Sequence, residues 1–489
     1  MKYPYCPFTG EHMLFNSFEF LIFFPIVTAI YFALSAKLQW IWLLVMSYFF
    51  YMNWHAEYAL LMAACTIVTH ACSLIITELK EKKHKKIAMW GGIVFNIGLL
   101  AYFKYTGFLL DIVQRGCNLL GLPVTTPKVS ILLPVGISFY IFQALSYMID
   151  VYKGRVKAER NLFKYALFVS FFPQLVAGPI ERSSRLLKQV TAEHRFDWER
   201  ARQGLLIMML GFFEKVVIAD RACMYVDAIY GSWASASGAQ IALATFVFAV
   251  QDLCDFAGYS HIAIGAAKVL GIELMTNFRQ PYFAHSVQNF WARWHISLST
   301  WFRDYIYFPL GAGRGGKLKA ARNLMIVYTV SGLWHGAALK YVAWGMLNGA
   351  LQVIEGWIPH SDKKPKFPKL DLFVHILWTD FLILITMLIF RAGSLSSALG
   401  MLWRIPTAWS AEAIATGFSS MQALCTGVCF AILFAIELIH EKRKTLTAMT
   451  DKLPVFARGA LYLLGVMAIV IFGVWGPGYT AQAFIYFQF

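Results

Sequence analysis

Charge is scarce in this 489-residue chain: Asp, Glu, Lys and Arg together supply 14% of it, against roughly 25% in soluble globular domains. So few charges cannot cover the surface of a soluble enzyme of this length. The 58% share of apolar residues excludes a disordered chain as firmly. The eight cysteines (Cys6, Cys65, Cys72, Cys117, Cys223, Cys254, Cys425 and Cys429) are scattered, and none forms a CxxC pair. That excludes a disulfide-stapled secreted domain and leaves no zinc or redox motif; the thiols read as small buried hydrophobes. Also missing are a fixed-period repeat and any composition shift that would mark a separate soluble domain. The apolar residues come in long runs instead of alternating with polar ones, which argues against a β-barrel. What remains is an all-α polytopic membrane protein. At roughly 20 residues per span, with loops allowed for, the sequence predicts about 11 transmembrane helices in one membrane-embedded domain over residues 1–489.

What charge there is leans one way. Lys and Arg number 43 and Asp and Glu 27, a formal +16. Cytoplasmic loops of membrane proteins collect Lys and Arg, so the basic stretches Lys80–Lys86, Lys153–Lys164 and Arg182–Arg202 are predicted to be cytoplasmic. Counting spans back from the first places the N-terminus on the opposite side. The same basic face would attract an acidic cytosolic partner or a phosphate-bearing cosubstrate. Residues 1–12 form a polar extension, and the apolar run that starts at Met13 lacks the basic leader of a signal peptide. It is expected to be an uncleaved first helix.

Two stretches depart from ordinary membrane sequence. Residues 289–311, NFWARWHISLSTWFRDYIYFPLG, are long enough to cross a bilayer yet carry Arg293, His295, Arg303 and Asp304. Each charge at the bilayer centre costs about 2.5–3.5 kcal/mol on insertion scales, more than the flanking Trp, Phe, Ile and Leu offset. A re-entrant or interfacial segment satisfies the same residues, and Trp291, Trp294, Trp301, Tyr305 and Tyr307 suit the membrane interface. Pro309-Leu310-Gly311 is predicted to end the helix.

The second stretch, SGLWHGAA at 331–338, sets His335 inside an apolar run. An ionisable group in a membrane span is costly and is by default a functional candidate. Gly332, Gly336, Ala337 and Ala338 allow another helix or a substrate chain to approach closely. A neutral imidazole held in low dielectric stays a proton acceptor at neutral pH. A general base needs that property to take a hydroxyl proton as the hydroxyl attacks a thioester. His295, forty positions earlier, is the natural second member. Arg293 and Trp294 fit substrate positioning, while Arg303 either pairs with Asp304 or holds a phosphate. Intramembrane histidines and a broken charged segment also suit a proton-coupled transporter or flippase, although no inverted repeat is visible.

The chain resembles the membrane-bound O-acyltransferase family, in particular its bacterial alginate O-acetyltransferase-like branch. The resemblance is carried, in order, by FNSFEFLIFFP (15–25), LPVGISFYIFQALSYMIDVYKG (133–154), FFPQLVAGPIER (171–182), DFAGYSHIAIGAAKVLGIELMTNFRQPYF (255–283), FWARWHISLSTWFRDYIYFPLG (290–311) and SGLWHGAALKYVAWG (331–345). It implies a ring of tilted transmembrane helices around a thin central layer pierced by a tunnel. It also implies that His335 is the catalytic histidine and that His295 lies at the second polar catalytic position. Arg293, Trp294, Ser299, Arg303, Asp304, Trp334 and Asn348 complete the candidate set as substrate-binding residues; no metal is implied. Two positions depart from the family pattern: His261 stands where Asp is common, and Asn348 where His is common.

The activity implied is transfer of an acetyl group from a cytosolic thioester donor to an extracellular polysaccharide or cell-wall polymer, at the bacterial cytoplasmic membrane. Acetyl-CoA is the expected donor, with an acidic acyl carrier protein as the alternative. An extracytoplasmic esterase-like acyltransferase is the expected partner, and no nucleic acid is involved. Within the same chemistry, D-alanyl transfer to teichoic acid from a carrier protein is the competing expectation.

Overall fold

The computed structural model describes residues 13–127, 129, 131–176, 178–358, 366–410, 420–442 and 444–474; the polar extension at 1–12 lies outside them. Every regular element among the described residues is a helix, and none is a strand. In chain order the helices are α1 (Phe18–Ala33), α2 (Ala36–Met52), α3 (Ala56–Glu78), α4 (Lys82–Leu119), α5 (Ile137–Tyr152), α6 (Leu162–Ser170), α7 (Phe172–Leu175), α8 (Ser183–Val190), α9 (Trp198–Phe212), α10 (Asp220–Gly231), α11 (Gly238–Val269), α12 (Val287–Arg293), α13 (Ile296–Phe302), α14 (Lys317–His335), α15 (Leu339–Trp357), α16 (Pro368–Arg391), α17 (Leu395–Thr407), α18 (Ser420–Glu441), α19 (Leu446–Thr450) and α20 (Val455–Phe472). Among the described residues, six of them (α3, α4, α11, α16, α18 and α20) are long and apolar enough to cross a membrane. Helix α4 has 38 residues and so runs about 57 Å, well beyond a hydrocarbon core of roughly 30 Å. The sequence predicted about 11 spans in a ring; these six are the ones that length and composition alone mark as spans.

The chain divides into two compact units, one holding the residues up to Leu205 together with Ala263–Met275, the other Leu206–Ile262 together with the residues from Thr276 onward. In the first, α1 and α2 meet through aromatic side chains: Phe20 and Phe23 pack on Phe50, with ring centroids 6.3 and 5.9 Å apart. Phe172 closes the same cluster against Phe23 and Phe50. Helix α3 carries hydroxyls through an apolar span without leaving them unsatisfied. Thr66, Thr69 and Ser73 each donate to the carbonyl four residues back at 2.7 Å, the usual way such residues are tolerated where water is absent.

In the second unit a π-helical turn, Phe213–Ala219, follows α9. The turn buries Lys215, whose Nζ lies 2.8 Å from Asp220 and 2.6 Å from Asp255. A buried ammonium is tolerable only with such partners. The neighbouring Glu214 carboxylate lies 2.6 Å from Nδ1 of His261 on α11, so His261 sits against an acid on the π turn. Helices α14 and α15 form the tightest contact of this unit. A Cβ on Gly332 would lie 2.1 Å from the Tyr341 carbonyl oxygen, and one on Gly345 would lie 2.2 Å from that of Tyr328. Only glycine permits backbones to approach so closely.

Candidate active site

The segment singled out between 289 and 311 is broken into short pieces. Helices α12 and α13 have seven residues each, about 10 Å of rise, and a π turn, Arg303–Tyr307, follows. The start of α12 is built to order. Ser286 Oγ accepts from the Asn289 N–H at 3.0 Å, and the Glu355 carboxylate accepts from Val287 and Gln288 N–H at 2.9 and 2.8 Å. A carboxylate over those free N–H groups also complements the helix dipole.

Between α12 and α13 the backbone turns at His295, which has φ 43° and ψ 53°. This left-handed conformation costs a non-glycine residue about 1–2 kcal/mol and persists only where the surroundings impose it. Here they do. The Arg279 N–H donates to Arg293 O at 2.9 Å, and Ile296 N–H donates to Asn277 O at 2.9 Å. Asn277 Oδ1 accepts from Ser297 N–H at 3.3 Å while its Nδ2 donates to Ser260 Oγ on α11 at 3.1 Å. Residues 277–279 thus clamp the turn from both sides and drive the His295 ring inward, where it is wholly buried. It meets Phe256 edge-on at a centroid distance of 4.5 Å, and Trp334 at 6.0 Å.

His335 is the last residue of α14. The helix stops there because Gly336 and Ala338 are extended, with φ −164° and −151°, and α15 begins at once. A Cβ on Gly336 would fall 2.1 Å from the Tyr341 ring, so the link leaves room for no other residue. The His335 ring is 3% exposed and stands edge-on to Trp334, Trp344 and Phe390, at 5.1, 5.0 and 5.5 Å. Trp334 therefore touches both imidazoles. Two heteroaromatic bases set in a shell of Phe and Trp can hold a proton and are shielded from water.

The other candidate residues take up varied positions. Asn348, fully buried on α15, donates to Trp344 O at 2.9 Å, one turn from the indole that faces His335. Trp294 stacks with Phe290 and meets Phe278 edge-on. Arg293 is held in a bidentate pair by Glu441, at 2.7 and 3.2 Å, and also reaches Asn289 and Gln280 O. Ser299 Oγ donates to Trp294 O at 3.3 Å. Arg303 pairs with Asp304 at 3.0 Å, and its side chain is half exposed. Sequence reasoning missed Phe256, Trp344, Phe390 and the clamp residue Asn277. It also missed Lys340, whose Nζ donates to the carbonyls of Phe390 and Ala392, at 3.1 and 2.7 Å. Trp344 and Lys340 belong to the 331–345 motif and could have been noticed there; Phe390 is one apolar residue among many in α16.

Residues 155–398 match the membrane-bound O-acyltransferase family. The chain is 37% identical over 393 residues to the probable alginate O-acetylase AlgI of Pseudomonas syringae pv. tomato, covering 79% of this chain and 74% of the relative. It is 32% identical over 422 residues to the peptidoglycan O-acetyltransferase of Helicobacter pylori, covering 80% and 79%. Similarity to the teichoic acid D-alanyltransferase of Bacillus subtilis is lower, 27% over 247 residues, with 48% and 61% covered. Both histidines, the aromatic shell that surrounds them and the glycine crossing that positions His335 lie within the matched region, and the chain belongs to the membrane-bound O-acyltransferase family.

Proposed function

We propose that this multi-pass membrane O-acyltransferase moves acetyl groups from a cytosolic thioester to a hydroxyl of an extracellular polymer, with His335 as general base and His295 assisting. The observation that carries the reading is the burial of both imidazoles in one aromatic shell, joined through Trp334. The likeness to an alginate O-acetylase and a peptidoglycan O-acetyltransferase, each covered over most of its length, supports a polymer hydroxyl as acceptor.

In the reaction, His335 accepts the acceptor's hydroxyl proton while the hydroxyl oxygen attacks the thioester carbonyl. The tetrahedral intermediate collapses with cleavage of the C–S bond, and the proton passes from the imidazolium to the leaving thiolate. Ester and thiol are the products. His295 keeps its ring beside Trp334 and fixes the second wall of the shell. Trp334 and Asn348, both buried close to His335, are the residues assigned to the acyl group, and Arg293, Trp294, Ser299, Arg303 and Asp304 those assigned to the donor. Acetyl-CoA suits the basic cytoplasmic loops through its phosphates. The chain works in the bacterial cytoplasmic membrane beside an extracytoplasmic esterase-like acyltransferase that receives or directs the acetyl group.

Purified protein supplied with acetyl-CoA and, separately, with a D-alanyl carrier protein tests the donor. Transfer from acetyl-CoA alone is expected; transfer only from the aminoacylated carrier would make D-alanylation the activity. His335→Ala should abolish acetylation with its unfolding temperature nearly unchanged, and retention of full acetylation would remove His335 from the mechanism.

A further inference from the structure

Away from the histidines, in the first unit, α2, α3 and α6 leave a cavity of about 510 Å³. Its lining includes Leu44, Phe49, Met52, Ala63, Ile67 and Phe163 and is almost wholly apolar. Phe49, Met52, Ile67 and Phe163 are also among the exposed large hydrophobics, so the cavity opens sideways as a groove. It has a direction. Phe163 belongs to the lining, and the next residue, Lys164, places its Nζ 5.8 Å from the Trp40 ring on α2. Lys37 lies one turn before Trp40 and is exposed. From Trp40 to Met52 α2 rises about 18 Å, close to the roughly 15 Å of hydrocarbon in one leaflet.

The charged rim and the apolar groove are continuous. Lys153, Arg155, Lys157, Arg160 and Lys164 belong to the basic loop that the charge rule puts on the cytoplasmic side. Not all of them are free to attract an anion: Arg155 pairs with Asp150, and Arg160 lies 4.0 Å from Glu78. Glu159 is engaged with the Asn161 N–H. Lys164 reaches the Trp40 ring, exposed Lys37 lies one turn before Trp40 on the same helix, and the lining residue Leu44 lies one turn after it. A tryptophan with lysines beside it is the usual composition of a headgroup-level contact, and a basic cleft between helices on the cytoplasmic side selects anionic lipid headgroups.

We propose that this groove is a binding site for one anionic phospholipid of the cytoplasmic leaflet, with an acyl chain lying between α2, α3 and α6 and the phosphate held by Lys37 and Lys164. The apolar lining accounts for the chain, and the two lysines account for the charge.

The test uses the full chain, purified and stripped of lipid in a neutral detergent, with phosphatidylglycerol and phosphatidylcholine of identical chains added separately. Native mass spectrometry and thermal unfolding are the readouts. One phosphatidylglycerol per chain should be retained and should raise the unfolding temperature, whereas phosphatidylcholine should do neither. Lys37→Gln with Lys164→Gln should weaken phosphatidylglycerol binding about thirtyfold, the share expected of two lysines at an anionic surface. Ala63→Trp fills the groove and should abolish retention without touching the rim. Equal retention of both lipids, undiminished binding by the lysine variant, or a long-chain acyl thioester as the retained molecule would overturn the proposal. Lys37 is exposed and Lys164 half-buried, so their variant tests the site even if Ala63→Trp fails to fold.

Discussion

Replacing Gly332 by Ala adds one methyl group at the place where α14 and α15 touch. The added Cβ would lie 2.1 Å from Tyr341 O, 3.0 Å from the Tyr341 carbonyl carbon and 3.2 Å from the Gly345 Cα. All three are backbone atoms, so no side chain can turn aside. Ordinary contact needs about 3.4 Å, and the helices must therefore part by about 1.3 Å or bend. Overpacking of this kind costs about 1–3 kcal/mol. In a chain of this length that is a fall of only a few degrees in unfolding temperature, so most of the protein should remain folded. Activity should suffer more. His335 lies three residues beyond Gly332 on α14, and Trp344, which faces its ring, lies beside Gly345 on α15. Parting the helices separates base from wall, and a misplacement of about 1 Å costs on the order of 100-fold in rate. Gly98→Ala is the control: nothing lies within 4 Å of a Cβ there, and alanine in an exposed helix should stabilise by about 0.5–1 kcal/mol. Acetyl transfer measured in cells, with unfolding temperatures in detergent, separates the cases. An active, fully stable Gly332→Ala protein would refute the reasoning, as would equal damage from Gly98→Ala.

Three further outcomes follow from the same geometry. His295 combines an imidazole with a left-handed backbone, and Asn tolerates that backbone far better than Ala; His295→Asn should keep the native unfolding temperature while losing activity, and His295→Ala should lose both, at about 1 kcal/mol of stability. Lys340 caps the last carbonyls of α16 beside Phe390, so Lys340→Met should cost about 1–2 kcal/mol and slow turnover, with Lys340→Arg recovering part of both in parallel unfolding and rate measurements. Burial pushes the Glu181 carboxyl up from 4.5 to about 7, against the pull of the Met275 N–H, of Arg185 and of Arg182; the folded chain keeps a proton that the unfolded chain has released, stability falls as pH rises from about 4.5 through 7, and Glu181→Gln should flatten unfolding curves recorded across that range by up to roughly 3 kcal/mol.

How much of this was legible beforehand depends on the range of the interaction. Hydropathy is local, so α3, α4, α11, α16, α18 and α20 stand out as apolar runs. The charge of 289–311 is equally local, and it foretold that this stretch would not cross as one helix. The π turn at 213–219 left no such trace. It is a change of hydrogen-bond register, and Lys215 is held there by nearby Asp220 together with Asp255, forty residues away. The left-handed turn at His295 was invisible for the same reason, because it is imposed by residues 277–279 and not by any neighbour that favours positive φ. His295 itself stood out because a titratable ring is conspicuous in apolar sequence and because it lies in the motif that carries the family resemblance.

That asymmetry explains why the catalytic candidates were easier to find than the shell that shapes them. Polar atoms are expensive at this depth, so each one retained there draws attention to itself in the sequence. Phe256, Trp344 and Phe390 cost nothing to bury and are spelled like any other part of a span. Yet these rings pack edge-on against the two imidazoles and form the walls around them. Their positions are set by backbone contacts: Phe390 by the Lys340 cap on α16, Trp344 by the Gly332–Gly345 crossing, and Phe256 by its place on α11 four residues before Ser260, which accepts from the Asn277 clamp. The orientation of both histidines is therefore a property of helix crossings and of one clamped turn. Substitutions at Gly332, Lys340 and Asn277, none of which carries a candidate catalytic group, should disturb the chemistry while every such group stays in place.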